Sequence, residues 1–495
     1  MAAQPTQPAR HVVIVGGGIA GLTAAFSLYE QAAGAGLPLT CTLIEAGREW
    51  GGKIVTHRVG DLMIEAGPDS FLSQKPWGLE LCHKLGLSGR LINTNDHQKK
   101  TFVYSRGRLR ELPEGLVVIV PTRLGPFLKS GLISWPGILR MGLDLALPAK
   151  RGDGDESLAS FFSRRLGREA FERVVEPLMA GIYAGDAAQI SLRATFPRFL
   201  DLERQHGSLI RGMLASRTAG PATSDRPASV PGGRTMFVTL QGGLVELIQA
   251  LLAKLTTSGA KLMTQQSVAA MRVRQTSTNH PIGWTYDLTL ESGAVISADA
   301  VVLATPAFVS ADLVRPLSPL AAELLGAIPY ASTATVSLAY KAGTLGGQVD
   351  GFGFVVPRVE GRDLLAATWT SLKWPHRAPA SQTLVRCYLG GVGREAVLQE
   401  DDAALIRRVR DELRSMTGVT GEPAYAEVNR WDRGMPQYTL GHLDRLESIQ
   451  RSLDRYPGLL LVGAAYRGIG IPDCIRDGTD AASGLIRLFT GGRHE

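Results

Sequence analysis

The tightest constraint on this chain lies near its start, where HVVIV at 11–15 runs into Gly16-Gly17-Gly18-Ile19-Ala20-Gly21 and then a helical stretch to about Ala33. A short apolar run bounded by glycines reads as a buried strand. A G-x-G-x-x-G that follows a strand and opens a helix is the dinucleotide fingerprint. Its glycines turn the chain tightly, let the backbone approach a pyrophosphate, and pack helix against strand. The phosphates then sit at the positive end of the helix dipole. A second strand, 40–45, ends in Glu45, 24 residues past Gly21, placed to accept hydrogen bonds from ribose hydroxyls. Gly51-Gly52-Lys53 follows closely.

At 495 residues the chain has room for about three structural units. Its formal charge of +7 is mild for that length, and the basic run Arg407, Arg408, Arg410 and Arg414 sits among acids at helical spacing. That pattern reads as a solvated helix face, so no nucleic-acid partner is expected; anionic small molecules or an anionic membrane surface fit the excess. Cys41, Cys82, Cys387 and Cys474 are far apart, so neither a disulfide framework nor a metal site is indicated, and a reducing, cytoplasmic setting is expected. Residues 1–10 are too few and too polar for a signal peptide. No apolar run approaches the roughly 18 residues of a membrane span. The nearest, 132–147, contains Arg140 and Asp144 and supports at most a peripheral membrane contact.

Residues 74–217 are dominated by helical periodicity, and the stretch at 215–234, rich in Pro, Gly, Ser and Thr, reads as a surface loop. Strands are expected at 261–273, 284–291, 299–304, 333–340, 352–356, 364–368 and 383–390, with a helix near 401–415. A final strand at 459–462 leads through a glycine turn into a last helix from about Asp473 to Phe489. A second helix start aimed at the cofactor would stabilise negative charge on it.

Four segments carry a resemblance. GPDSF at 67–71, EPLMAGIYAGD at 176–186, MPQY at 435–438 with Gly441-His442, and 468–474 closely resemble the porphyrinogen oxidases of the amine-oxidase-like flavoprotein superfamily, nearest to their bacterial coproporphyrinogen III and protoporphyrinogen oxidases. The likeness spans about His11 to Phe489. One departure stands at Glu49, where the superfamily usually carries Arg; Arg48 lies one place early.

The resemblance implies an α/β (α+β overall) chain: a Rossmann-type FAD-binding domain built from 1–75, 218–300 and 431–495, a mainly helical inserted domain at 76–217, and a substrate-binding domain at 301–430. It implies FAD contacts from Gly16, Gly17, Gly18, Ile19, Ala20 and Gly21, from Glu45, Ala46 and Lys53, and from Gly67, Pro68, Asp69 and Ser70. Val268 on the adenine side, Trp431, Gly470, Ile471 and Pro472 complete the set. Flavin N5 carries the chemistry in this reading, and no catalytic side chain is assigned; Asp69 reads as a turn and flavin-pocket residue rather than a general base, and His442 as structural. The implied reaction is oxidation of coproporphyrinogen III to coproporphyrin III in haem biosynthesis, with molecular oxygen as acceptor and hydrogen peroxide as by-product. Protoporphyrinogen IX is the alternative substrate, and a non-catalytic porphyrin carrier or another amine-oxidase-like flavoprotein the further alternatives. Hand-off of product to a chelatase is compatible with it, and the oligomeric state is left open. A large ring edged by propionates needs an apolar cavity with cations at its mouth. Lys75 is the first candidate, followed by Arg193, Arg198 and the arginines at 164–173.

Overall fold

The computed structural model describes residues 9–95, 100–113, 116–117, 120–121, 130–150, 152, 154–218, 233–276, 283–345 and 350–491. The 215–234 loop lies outside the described residues over 219–232.

Five parallel strands form the central sheet in the order Lys261–Met263, Leu39–Ile44, Arg10–Val15, Ala300–Leu303, Leu459–Leu461. Both faces are covered. Val12 and Ile14 join a core shared with the helices Ile19–Gly34, Val245–Thr257 and Ile471–Thr490. Val13 and Val15 point the other way, onto an antiparallel ribbon of Val268–Gln275, Trp284–Leu290 and Val295–Ala298 and onto the helices Ala307–Val314 and Pro319–Gly326. Burial on both sides is why HVVIV is continuous rather than alternating. The two ends of the chain meet here: a Cβ at Gly478 would lie 2.4 Å from the Ala20 carbonyl oxygen, so the last helix reaches the first only because that residue is glycine.

A seven-stranded sheet carries the second layer, in the order Tyr425–Pro436, Tyr330–Lys341, Gln382–Gly390, Ala366–Thr368, Gly353–Val355, Thr101–Ser105, Arg108–Glu111. One face, including Val336, Leu338, Cys387, Ala367 and Phe354, packs on the helix Asp402–Thr417. Further helices between Trp135 and Thr218 build a separate core around Phe161, Phe162 and Phe199. Arg165, fully buried there, donates from Nε to Asp144 at 2.5 Å, while Arg164 bridges Glu156 and Glu203. No helix among the described residues is long and apolar enough to cross a membrane.

Several expected elements are corrected. The helical reading of 74–217 fails at 101–111, where TFVYS and RLRE are strands of the seven-stranded sheet. The single strand expected at 261–273 is two strands in two sheets, broken at Gln265, which has φ +55°. The N–H groups of Gln265 and Gln266 instead bind the carbonyls of Gly47 and Glu45. The last helix begins at Ile471, two residues earlier than expected. Strand Tyr425–Pro436 was not anticipated; it is an edge strand carrying Glu427, Arg430, Asp432 and Arg433, and charge hides the strand pattern while keeping the edge from pairing with another chain.

Candidate functional site

The glycine turn after the first strand is held by direct backbone packing. Gly16 has φ +110°, and a Cβ there would meet the Ala304 carbonyl at 2.7 Å; a Cβ on Gly21 would fall 2.0 Å from the Gly16 oxygen. Gly18 is different. Its φ is −74°, which any residue adopts, and a Cβ there meets nothing within 4 Å. Only at this glycine of the fingerprint does the fold leave open space, where a pyrophosphate needs close backbone approach. Glu45 stands beside it, accepting the Gly17 N–H on Oε2 and the Gly47 N–H on Oε1, each at 2.7 Å. A carboxylate oxygen has a second lone pair, so both remain able to accept from ribose hydroxyls. The Gln266 N–H binds the Glu45 carbonyl, which brings the start of the Val268 strand to the same end; Ala46 and Arg48 are exposed beside it.

Gly51, bridged to Gly18, and the Lys53 carbonyl, against which Gly67 packs, link the fingerprint turn to the loop 65–71. A Cβ on Gly67 would overlap the Lys53 carbonyl at 1.8 Å and lie 3.5 Å from the Trp431 ring. The Ala66 carbonyl accepts from Trp431 Nε1 at 2.9 Å, Arg386 Nη2 at 2.9 Å and Thr335 Oγ1 at 3.3 Å. Asp69 accepts from Ser70 at 2.6 Å, Lys373 at 3.1 Å and Trp374 at 3.3 Å. Burial alone would raise the Asp69 carboxyl, but the cations of Lys373 and Arg386 outweigh it and hold it well below the usual carboxylate range. Glu65 pairs with buried Arg377 at 2.8 Å, so the loop is clamped by Arg386 on a strand of the second sheet and by Lys373 and Arg377 in the connection that leads into that strand.

From the third side comes the turn between Leu461 and Ile471, which delivers the N-terminus of the last helix. Gly470 is its first flanking residue, and Ile471 and Pro472 are buried. Lys75 donates to both oxygens of Asp473 at 2.7 and 2.6 Å. Burial pushes the Lys53 ammonium below its ordinary value, with the Cys474 thiol a weak counterweight. Cys474 itself is pushed up to about 12, and all four cysteines are buried and unpaired.

The floor is the second face of the seven-stranded sheet. Arg386, Thr368 and Gly353 lie in one cross-strand row; Tyr388, Ala366, Val355 and Val103 lie in the next. Tyr388, Ala366, Thr368 and Val355 are only half-buried in the middle of a seven-stranded sheet, whereas Cys387, Ala367 and Phe354, which point the other way, are buried. This face therefore borders open space, with Arg386 at the cofactor loop and Val103 and Val355 against the helical core. The helix Glu176–Tyr183 closes one rim, tied down by Val392 N–H to the Ala184 carbonyl at 2.9 Å and Arg358 N–H to Glu176 at 3.2 Å.

The structure thus brings the expected residues into one contiguous region with two ends: Gly16–Gly21, Glu45, Ala46 and Val268 at one, and Lys53, Gly67–Ser70, Trp431 and Gly470–Pro472 at the other. The residues present fit FAD, with open room at Gly18 for phosphate and a helix N-terminus at the far end. The expected cations fare differently. Lys75 is committed to Asp473, Arg164 and Arg165 to carboxylates of the helical core, Arg168 to Glu172, Arg173 to Glu360 and Arg193 to Asp444. The cations that hold the loop 65–71 are Lys373 on Asp69, fully buried Arg377 on Glu65 and Arg386 on the Ala66 and Gly67 carbonyls, which sequence reasoning missed. Their partners are some 300 residues away, and the signal available was the cluster Lys373-Trp374-Pro375-His376-Arg377, dense in charge and aromatic character for a connection between strands.

Residues 19–486 match the family model described as flavin containing amine oxidoreductase. The chain is 38% identical over 483 residues to a coproporphyrinogen III oxidase of Bacillus subtilis (strain 168), covering 97% of this chain and 99% of that protein. It is 31% identical to the chloroplastic protoporphyrinogen oxidase of Oryza sativa subsp. japonica, covering 97% and 88%. A crystal structure titled a putative protoporphyrinogen oxidase, from Exiguobacterium sp. 255-15, superposes with TM-score 0.83 at 31% identity, covering 97% of this chain and 99% of that one.

Proposed function

This chain belongs to the flavin containing amine oxidoreductase family, and from that premise we propose that it is an FAD-dependent oxidase of coproporphyrinogen III, forming coproporphyrin III in haem biosynthesis. The observation that carries the substrate reading is the sheet face beside the cofactor loop. Tyr388, Ala366 and Val355 offer an apolar floor, Thr368 and Arg386 add polar contacts at one edge, and the Glu176–Tyr183 helix flanks it. An apolar macrocycle edged with carboxylates, which becomes flat as it is oxidised to the porphyrin, matches such a floor.

In this reading Gly16–Gly21 would hold the FAD phosphates, Glu45 a ribose, and Lys53, Gly67–Ser70, Trp431 and Gly470–Pro472 would surround its ring. When bound, the flavin supplies the electron acceptor. The chain's own part is to bind, orient and exclude water. Trp431, Arg386 and Thr335 fix the Ala66 carbonyl, and Lys373 and Trp374 fix Asp69, so the loop facing the cofactor is preorganised. Asp69 stays ionised and internally paired, which leaves it poorly suited as a base. Loss of pyrrole protons to water is sufficient, because aromatisation of the macrocycle drives the reaction.

Oxygen as terminal acceptor and hydrogen peroxide as by-product belong to this proposal, as do hand-off to a chelatase and peripheral membrane contact. The exposed face of Trp135, Leu139 and Leu143, opposite buried Ile138 and Met141, supports the last. Purified protein incubated with chemically reduced coproporphyrinogen III should consume oxygen and release peroxide as porphyrin fluorescence rises. Turnover of protoporphyrinogen IX alone would move the assignment to the alternative substrate. Bound flavin that no porphyrinogen reduces would overturn the reaction.

A further inference from the structure

The segment 437–442 belongs to a motif that the cofactor and substrate readings leave unused, and three of its polar side chains are buried. Gln437 is 2% exposed, Tyr438 1% and His442 0%. One side of the segment holds the helical region: Gln437 Nε2 donates to the Tyr183 carbonyl at 2.9 Å, Ser191 N–H to the Tyr438 carbonyl at 2.8 Å, and Gly441 N–H to Asp155 at 2.9 Å. The other side grips the turn before the last helix at three points. The Tyr438 hydroxyl donates to the Ala464 carbonyl at 2.7 Å and accepts the Gly468 N–H at 2.8 Å. His442 Nε2 lies 3.0 Å from the Tyr466 carbonyl. A carbonyl only accepts, so that nitrogen carries the ring proton. The Tyr438 and His442 rings stack at 4.2 Å and 11°, which locks both donors in place.

The turn they hold has little freedom of its own. Gly468 has φ +144°, and a Cβ there would lie 2.5 Å from Asp473. It ends at Gly470, which has no side chain to cap the helix start. The packing of Gly478 on Ala20 and the Gly463–Asp477 bond hold the body of that helix, and the bonds to 464–468 from Tyr438 and His442 add the hold on the turn that leads into its N-terminus.

We infer that Tyr438 and His442 are positioning residues for the cofactor: their stacked pair sets the 464–468 turn and so aims the N-terminus of the Ile471–Thr490 helix at the flavin ring. The inference rests on the proposed placement of FAD along the groove. Removing either clamp lets the turn relax and the positive helix end withdraw, which weakens FAD binding and stabilises the electron-rich cofactor less.

The test uses Tyr438→Phe, His442→Phe and His442→Gln in the full chain, with Glu45→Ala as a reference at the far end of the groove. FAD dissociation constants are measured by fluorescence on reconstitution of apoprotein, and the flavin midpoint potential by dye equilibration of the holoprotein. Tyr438→Phe and His442→Phe should each raise the dissociation constant about tenfold, the loss of one buried hydrogen bond, and lower the midpoint potential. His442→Gln, whose amide can still donate to the Tyr466 carbonyl, should recover most of both. Parent-like dissociation constant and potential in Tyr438→Phe, even with a lowered Tm, would overturn the inference and leave the pair a purely structural stack. The Gln variant and Tyr438→Phe decide the matter if His442→Phe does not fold. An unchanged dissociation constant in Glu45→Ala as well would mean that the cofactor placement itself is wrong.

Discussion

At the scale of single residues, the glycines of the fingerprint separate into those the fold itself requires and one, Gly18, that the fold does not. Gly16 and Gly21 are excluded from carrying a side chain by neighbouring backbone, so substituting them disrupts the fold before any ligand is considered. Gly18 has ordinary dihedrals and empty space around it. Gly18→Val should give an apoprotein within about 1 kcal/mol of the parent's stability, the scale of changing a helix-flanking glycine, yet lose FAD affinity by about 1–3 kcal/mol or more through overlap with the bound phosphate. Thermal melts of apoprotein and FAD titration check the two halves separately; full FAD occupancy in this variant would show that the phosphates lie elsewhere. Lys75 shows the opposite lesson. As a cation near GPDSF it reads as a propionate ligand, but its ammonium is bound to nearly buried Asp473. Lys75→Met should therefore cost about 1–2 kcal/mol of stability, partly offset by the helix N-terminus beside Asp473, and change KM little. A selective rise in KM for the substrate with more carboxylates, at unchanged Tm, would restore the substrate role. Local pattern could reveal the chemistry of Lys75 and not its partner, because 398 residues separate the two along the chain.

At the scale of elements, the joint between the last strand and the last helix carries a titratable link. Asp477 accepts the Gly463 N–H at 2.7 Å. Burial pushes its carboxyl up to about 6, against the lowering effect of that bond and of Arg467. A folded value above the ordinary one of about 4 favours the protonated form, so the contribution to stability is complete below pH ~4 and is lost as pH rises through 6. Asp477→Asn keeps an acceptor for Gly463 and never ionises. Its stability relative to the parent should grow from pH 4 to pH 8, reaching about 1–3 kcal/mol at the upper end. A difference independent of pH would show that the native carboxyl is not shifted. The strand and helix that Asp477 ties together were legible in the sequence, as was the first strand, because elements buried on both faces or on one clear helical stripe announce themselves by composition. The strands Thr101–Ser105 and Tyr425–Pro436 were not. One sits inside a stretch otherwise helical, and the other is a charged edge, so their assignment comes from the sheet that recruits them rather than from their own pattern.

At the scale of the whole molecule, the groove lies between two sheets, with residues from nearly the full length of the chain on its walls. The cofactor end was readable because its glycines and acid are close in sequence. The proposed substrate side was not, because Arg386, Lys373 and Tyr388 become neighbours only when the second sheet closes on the loop 65–71. That closure bears on substrate choice. Coproporphyrinogen III carries four propionates and protoporphyrinogen IX two, with vinyls in place of the others. Beside the loop 65–71 stand Lys53, Lys373 and Arg386, the last two next to Asp69, while Glu65 and Asp473 are paired with Arg377 and Lys75, on a chain whose net charge is +7. Two additional carboxylates near such a wall, each at about 0.5–1 kcal/mol, favour the four-propionate substrate in kcat/KM by roughly 5–30-fold at low salt. Interactions at the cavity mouth are partly open to solvent, and the Debye length shrinks to about 10 Å at 0.1 M salt. The ratio of the two kcat/KM values should therefore fall as salt rises from about 0.02 to 0.3 M, mostly through KM, while the kcat values hold. Steady-state kinetics on both porphyrinogens across that range check it. Equal efficiency at every salt concentration would show that the wall cations serve only to clamp the loop, and that substrate choice is made on the apolar floor of Tyr388, Ala366 and Val355.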